Sequence, residues 1–456
     1  MEKDNLDSLR QQIRGVTADI MQKIQQRMDL AKQIGDVKSK MNIDVKDEKV
    51  EQEVRLAVMK QAEELGMDKD FALRLLGILL SESETVQAMG RKPTAPKQTH
   101  LGIFQKARQL EESGKKMIHL EVGEPDYPAP ESVGNALSAA FRSKKYHYTE
   151  TAGMPQLRNA IAKIAGVGRD EVIVTPGGRF AVFSAIAGLV KPGQEIITIE
   201  PAWPAYRECA EFVGAKARVL KTTFESQWTP DLSELESLVN GGTKMIAINY
   251  PNNPTGKTID RKTLSAIVSI AQKHDLYLLS DEVYSEYAFG QFHSVLGFGY
   301  EKSIVVSSFS KTYAMTGFRI GHAIASPDII KKMTKVQAVG VTSVAEPIQH
   351  AAMAALSEDA SANIRLVEKR LKFVCSKLDQ MGLKFVKPTG AMYVYPQLPF
   401  GEDMPIVESL LEKGLAIAPG SGFGDSYSGF VRISACRPED ELAGGLEILS
   451  SVLRAA

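Results

Sequence analysis

Along the first forty residues the apolar positions Leu6, Leu9, Ile13, Val16, Ile20, Ile24, Ala31 and Ile34 advance by threes and fours. That is the period of an amphipathic helix, and it predicts one from about residue 5 to about 40. At 1.5 Å per residue such a helix is roughly 50 Å long and needs a partner along much of its length. Two shorter helices are predicted next. One runs from about Asp47 to Leu65 and is closed by Gly66; the other runs from Asp68, a capping residue, to Gln87 ahead of Gly90. The first proline is Pro93, and residues 1–90 contain no tryptophan, tyrosine or cysteine. The expected unit is a three-helix, all-α domain over 1–90.

The pattern then changes. "KPTAPKQ" and its neighbours carry two prolines, several basic residues and no apolar period, so 91–97 is expected to be a linker. Beyond it, short β-branched runs, "VIVT" (172–175), "EIITI" (195–199), "MIAIN" (245–249), "LYLLS" (276–280) and "SIVVS" (303–307), alternate with helical stretches. This predicts an α/β domain over 98–456 around a buried, mostly parallel sheet, whose ligands gather at the carboxyl ends of the strands. The expected division is a large domain over about 130–330 and a small α+β domain from 98–129 and 331–456.

Composition narrows the function. Lysine plus arginine equals aspartate plus glutamate at 55 each, so no global field favours nucleic acid or an anionic membrane. No apolar run approaches membrane-spanning length, and the three cysteines, Cys209, Cys375 and Cys436, make neither a disulfide framework nor a metal spacing. A small-molecule partner, a cytoplasmic setting and no metal are the expectations.

Four of the predicted strands end in polar clusters. Gly177 and Gly178 follow "VIVT" and open a helix, where free N–H groups favour a phosphate. Asn253 and Pro254 follow the next, Asp281 and Tyr284 the one after, and Ser308, Ser310 and Lys311 the last. In order, "GEPD", "PGG", "NPTG", "SDEVY", "SFSK", "GFRIG" and "FVRIS" resemble the fold-type I pyridoxal-phosphate aminotransferases of the aspartate aminotransferase family, from about residue 98 to the end.

The resemblance implies pyridoxal 5′-phosphate carried on Lys311 as a Schiff base, with the freed amine then moving protons during amino transfer. It implies Asp281 on the pyridine nitrogen, Tyr284 and Asn253 on the phenolic oxygen, and Trp203 stacked on the ring. The phosphate falls to the Gly178 and Arg179 backbone, Ser308, Arg319 and Tyr148 of a second subunit. Arg432 and the Gly123 backbone would hold the substrate carboxylate, with Asn253 beside them. The Asn253–Pro254 bond matches a position that is cis in the family. Arg179 and Arg207 are the candidates for reading the substrate side chain. One departure is a short stretch between "LRNAIAKI" and "VIVT" at the site's mouth.

On the long helix, Arg27 and Lys38 are three turns apart on one face, whereas Arg10 is roughly 25 Å and about 100° away from Arg27. Residues 4–90 resemble an all-helical chorismate mutase of the intertwined-dimer type, through "LDSLRQQI", "IQQRMDLAKQIGDVK" and "SESETVQ". In that family the first arginine serves the neighbouring subunit, which accommodates Arg10. The resemblance implies that Arg10 and Arg27 bind the two carboxylates and that Lys38 and Gln87 donate to the ether oxygen. Glu51 would hold the ring hydroxyl, and Asp47 and Ser83 complete the wall. Val50 stands where the family usually has arginine.

The expected protein is a homodimeric, bifunctional enzyme of aromatic amino-acid synthesis acting on chorismate, amino acids and 2-oxo acids. The competing expectation makes the front only a dimerisation or effector-binding module. A DNA-binding front ranks last, since residues 1–90 hold 14 basic and 17 acidic side chains.

Overall fold

A computed structural model of the 456-residue chain describes residues 2–41, 45, 47–88 and 100–455. They fall into two compact units. The passage from one to the other, including the expected linker 91–97, lies outside the described residues.

The first unit consists of α1 (Glu2–Lys40), α2 (Glu48–Glu64) and α3 (Lys69–Ala88). Their ends follow the local chemistry. Asp47 caps α2 by accepting from the Val50 N–H at 3.2 Å, and Asp68 accepts from Phe71 N at 2.7 Å at the start of α3. Gly66, at φ 62°, turns the chain after α2. Helix α3 packs against both α1 and α2. Ala31, Ala62, Ala72, Leu73, Leu76 and Leu80 form a small buried seam. The stripe that predicted α1 is only partly used: Leu6, Leu9, Ile13, Val16 and Ile20 remain 47–67% exposed.

The second unit is built on a seven-stranded sheet of β1 (Val172–Thr175), β2 (Glu195–Glu200), β3 (Lys216–Lys221), β4 (Thr243–Asn249), β5 (Tyr277–Asp281), β6 (Ser303–Ser308) and β7 (Gly321–Ala325), in the order β1-β7-β6-β5-β4-β2-β3. Pairing is parallel from β3 through β6, and β7 runs antiparallel to both β1 and β6. Strands β1 and β2 are buried throughout, as expected of a sheet covered on both faces. One apolar cluster fills each face.

A separate cluster joins α4 (His100–Glu112) to helix Ser361–Gln380, helix Glu439–Ala455 and the short strands β8 (Tyr393–Val394) and β10 (Val431–Ser434), while Ala418 of the strand β9 (Ala418–Pro419) packs with an aromatic group around Trp228. These strands form a three-stranded antiparallel sheet in the order β9-β10-β8.

Candidate active sites

The order and sense of the strands decide what meets at the sheet's edge. Strands β1, β2, β4, β5 and β6 all end there, and antiparallel β7 begins there: Gly321 pairs with Thr175 at the end of β1 and with Ser308 at the end of β6. Arg319, two residues before β7, therefore reaches the same edge as Gly178, Asp281 and Ser308. A cavity of about 400 Å³ opens at this place. Its lining includes Gly123, Gly178, Arg179, Trp203, Asn253, Asp281, Tyr284, Ser308, Lys311, Arg319 and Arg432, eleven sequence-nominated residues spread over 310 positions. Tyr148 is not among them; it is 87% exposed on the surface.

The polar contacts are specific. Asp281 is 3% exposed; its Oδ2 accepts from the Tyr206 hydroxyl at 2.6 Å and its Oδ1 from Val283 N at 3.3 Å. Among the described residues no cation pairs with it, and burial pushes its carboxyl up to about 6. The Tyr284 hydroxyl meets that of Tyr393 at 2.7 Å. Lys311 Nζ donates to Gly123 O, and burial holds this amine below the ordinary lysine range. The lysine backbone is fixed from behind, where Tyr287 Oη donates to Lys311 O at 2.8 Å and meets Tyr127 Oη at 2.5 Å.

Arg432 is 2% exposed. Its Nη1 donates to Asn253 Oδ1 at 2.8 Å, its Nη2 to Glu121 O, and its guanidinium lies 4.4 Å over the Tyr393 ring. Its buried Nε has no hydrogen-bond partner among the described residues. The Asn253–Pro254 bond is cis.

At the other end, Ser308 Oγ accepts from Ser310 N at 3.1 Å and caps the short turn that carries Lys311. Helix α5 (Gly178–Leu189) points its N-terminus into the cavity, and Gly177 sits at φ 81°. A Cβ there would fall 2.7 Å from Arg319 Nη2, so the tight approach of arginine and helix start requires glycine. Arg179 lies 4.4 Å over the Trp203 ring and 3.4 Å from Glu208. Arg207 is turned away from the cavity, held by Glu200 and, at 3.7 Å, by Asp425.

Tyr206, Tyr393, Asn249 and Glu121 also line the cavity and were not singled out from sequence. Asn249 Nδ2 donates to Asp281 O at 2.9 Å, and its Oδ1 accepts from Asn253 N at 2.9 Å, tying two site residues together. Tyr206 lay within sequence reach, three residues past Trp203 and one helical turn on; Tyr393 is 109 residues from its partner and had no such signal.

In the first unit, Arg27 Nη1 donates to Leu79 O at 2.6 Å and to Ser83 Oγ, joining α1 to α3. Farther along, Gly35 approaches Gln87 so closely that a Cβ would lie 2.6 Å from Gln87 Cα. Gln87 Oε1 is buried with no hydrogen-bond partner among the described residues, an acceptor left waiting on this face. Lys38 Nζ donates to Val45 O at 2.5 Å, next to Asp47, the cap of α2; Glu51 follows one turn later and is half-buried. Arg10 stands apart, 63% exposed and paired with Asp7 at 3.3 Å. Val50 is exposed.

A mostly parallel sheet with a lysine, a buried carboxylate and an arginine-flanked helix start at one edge is the arrangement of a cofactor-dependent enzyme. The chain belongs to the class I and II aminotransferases, whose family model matches residues 115–449, and residues 9–88 match the type II chorismate mutases. An aspartate aminotransferase of Thermotoga maritima is 35% identical over 358 residues, covering 76% of this chain and 94% of that protein. An aspartate/prephenate aminotransferase of Thermus thermophilus is 34% identical over 388 residues, covering 81% of this chain and 98% of that protein. The crystal structure of the Thermotoga maritima aspartate aminotransferase superposes with a TM-score of 0.76 at 34% identity, over 79% of this chain and 98% of that one.

The enzyme thus combines a chorismate mutase domain with a pyridoxal-phosphate-dependent aminotransferase. The residues present fit that cofactor. A buried carboxylate without a cation suits a protonated ring nitrogen, and a glycine-lined helix start beside Arg319 suits a phosphate. Among the described residues no helix is long and apolar enough to cross a membrane.

Proposed function

We propose that the first unit rearranges chorismate to prephenate and that the second transfers an amino group to prephenate or to an aromatic 2-oxo acid derived from it. The convergence of eleven residues, nominated from widely separated motifs, on one cavity supports the second half. The relative named for aspartate and prephenate supports the choice of acceptor. Gly178, Arg179, Ser308 and Arg319 would hold the cofactor phosphate, Asp281 its ring nitrogen, Tyr284 and Asn253 its phenolic oxygen, and Trp203 its ring face.

Pyridoxal phosphate, when bound, supplies the electron sink that lets the substrate α-hydrogen leave as a proton. Lys311 Nζ takes that proton; burial favours the neutral amine it needs for this. Arg432 grips the α-carboxylate, with its unpaired Nε and the Asn253 amide as the site's remaining polar capacity. With Arg207 committed to the buried Glu200, Arg179, whose only acidic partner among the described residues is the exposed Glu208, is the better placed to meet an acidic substrate side chain.

In the first unit Arg27 binds a chorismate carboxylate, Lys38 and Gln87 face the ether oxygen, Glu51 the ring hydroxyl, and Asp47 and Ser83 the wall. The reaction is pericyclic, so these groups act by folding the substrate and stabilising charge on the ether oxygen. A glutamine donates there through Nε2, which leaves its buried Oε1 free as found. The exposed stripe Leu6–Ile20 and the distant Arg10 fit a second copy that covers the stripe and shares its arginine, and exposed Tyr148 fits a contribution to a neighbouring aminotransferase site. We therefore assign a homodimer in a reducing cytoplasm, where the three cysteines stay free.

The test supplies chorismate alone and follows its absorbance. Loss that disappears in Arg27→Ala supports the mutase. No loss, with the bound-cofactor spectrum intact, leaves the front a dimerisation or effector-binding module, the reading Val50 favours. Amino transfer to prephenate, measured against aromatic 2-oxo acids with aspartate or glutamate as donor, then tests the second half.

A further inference from the structure

Residues 118–123 pass from a two-residue strand through a bend at Glu121 into the lining of the aminotransferase cavity. Ile118 and His119 pair in parallel with Leu415 and Ala416, and Leu120 O accepts from Ser434 N of β10 at 2.8 Å. Two carbonyls of this run, those of Glu121 and Gly123, accept from Arg432 Nη2 and Lys311 Nζ, so both of these active-site side chains rest on it.

The side chains of the run are as specific as its backbone. Glu121 is fully buried; its Oε1 lies 2.7 Å from His119 Nδ1, and its Oε2 has no hydrogen-bond partner among the described residues. The other ring nitrogen, His119 Nε2, lies 3.2 Å from Glu111 Oε1 of α4, within ion-pair distance but without hydrogen-bond geometry. Helix α4 also carries Phe104, whose ring lies 6.2 Å from the imidazole and lines the cavity. Two other charged groups stand nearby: Arg437 donates to His119 O at 3.2 Å, and Arg108 pairs with Glu111 Oε2 at 3.2 Å.

We propose that His119 is a positioning residue for the carboxylate grip: bridging Glu111 and Glu121, it ties α4 to the run on which Arg432 rests. With both nitrogens protonated, the ring donates to Glu121 through Nδ1 and sets its charge 3.2 Å from Glu111 at Nε2. Losing the Nε2 proton leaves a lone pair against Glu111, while Nδ1–H keeps Glu121. The hydrogen bond to Glu121 holds His119 above its ordinary range. The tie is therefore complete below the ordinary histidine value and is released as pH rises through the raised one.

The inference rests on Arg432 gripping the substrate carboxylate, and the experiment separates the two. Dissociation constants for succinate and 3-phenylpropionate, both unreactive, are read from the bound-cofactor absorbance between pH 6.5 and 9 in wild type, His119→Gln, Glu111→Gln and Arg432→Lys. His119→Gln is expected to bind about 3- to 10-fold more weakly than wild type at pH 6.5, with the ratio closing towards one by pH 9. A ratio that is one throughout, or that is constant with pH, overturns the proposal. If His119→Gln does not hold cofactor, Glu111→Gln takes its place with the same expectation and the same refutation. Undiminished binding by Arg432→Lys would sink the grip itself, whatever the histidine does.

Discussion

Tyr206→Phe removes one oxygen and nothing else from the cofactor end of the cavity, and its effect follows from the charge of Asp281. The lost bond is a 2.6 Å hydrogen bond to a buried carboxylate, worth about 1.5–3 kcal/mol to the ionised form. Asp281 already sits at about 6 through burial. Without Tyr206 it would move to about 7–8, since each unit is about 1.4 kcal/mol. A cofactor that pairs its protonated ring nitrogen with Asp281 needs the ionised carboxylate. The variant must therefore lose a proton on binding wherever pH lies below its raised value. At pH 7 this weakens cofactor binding by about 2- to 10-fold, and by about pH 9 the difference disappears. Cofactor dissociation constants measured by absorbance across pH 6–9 for both proteins check it. A penalty independent of pH would refute the reasoning, because it would show that Tyr206 acts through packing or through the cofactor's other substituents.

Arg207→Ala leaves the Glu200 carboxylate, only 7% exposed, without its guanidinium, and should lower stability by about 2–4 kcal/mol. Burial already holds Glu200 above its ordinary range, so this group's contribution is greatest at acid pH and is lost as pH rises through its raised value. The deficit should deepen towards neutral pH, and adding Glu200→Gln should recover most of it; thermal unfolding at pH 5 and 8 is the check. Gly35→Ala should cut chorismate consumption by at least about tenfold while leaving amino transfer intact, because the new methyl would meet Gln87 Cα at 2.6 Å and separate α1 from α3 at a proposed ether-oxygen donor. Steady-state rates of both reactions on one preparation decide it.

Much of the fold was legible because burial on both faces makes strands read as apolar runs. "VIVT" is a strand over its whole length, and the other four predicted runs lie within or one residue off their strands. Strand β3 escaped notice because it is an edge strand, "KARVLK", half-buried along most of its length and carrying three cations. Strand β7 escaped because it starts on glycine and histidine and runs against its neighbours, a direction no local pattern encodes. The strands of the three-stranded antiparallel sheet are two to four residues long, too short for any period to register.

The site divides along the same physical line. A polar residue that interrupts an apolar run at a strand end is conspicuous, and Asp281, Asn253, Ser308 and Lys311 are of that kind. Tyr393 and Glu121 are fully buried and contact site residues through partners that the fold alone brings near. Arg207 shows the converse: sequence position made it a candidate reader of the substrate side chain, yet a buried carboxylate seven residues earlier claims it first. A buried charge needs its counter-charge before a substrate arrives, so Arg207 is spent on the fold, while Arg179, paired among the described residues only with the exposed Glu208, lines the cavity. Which of the two arginines lines the cavity is thus decided by where the protein buries its acids, and that is information the chain acquires only when it folds.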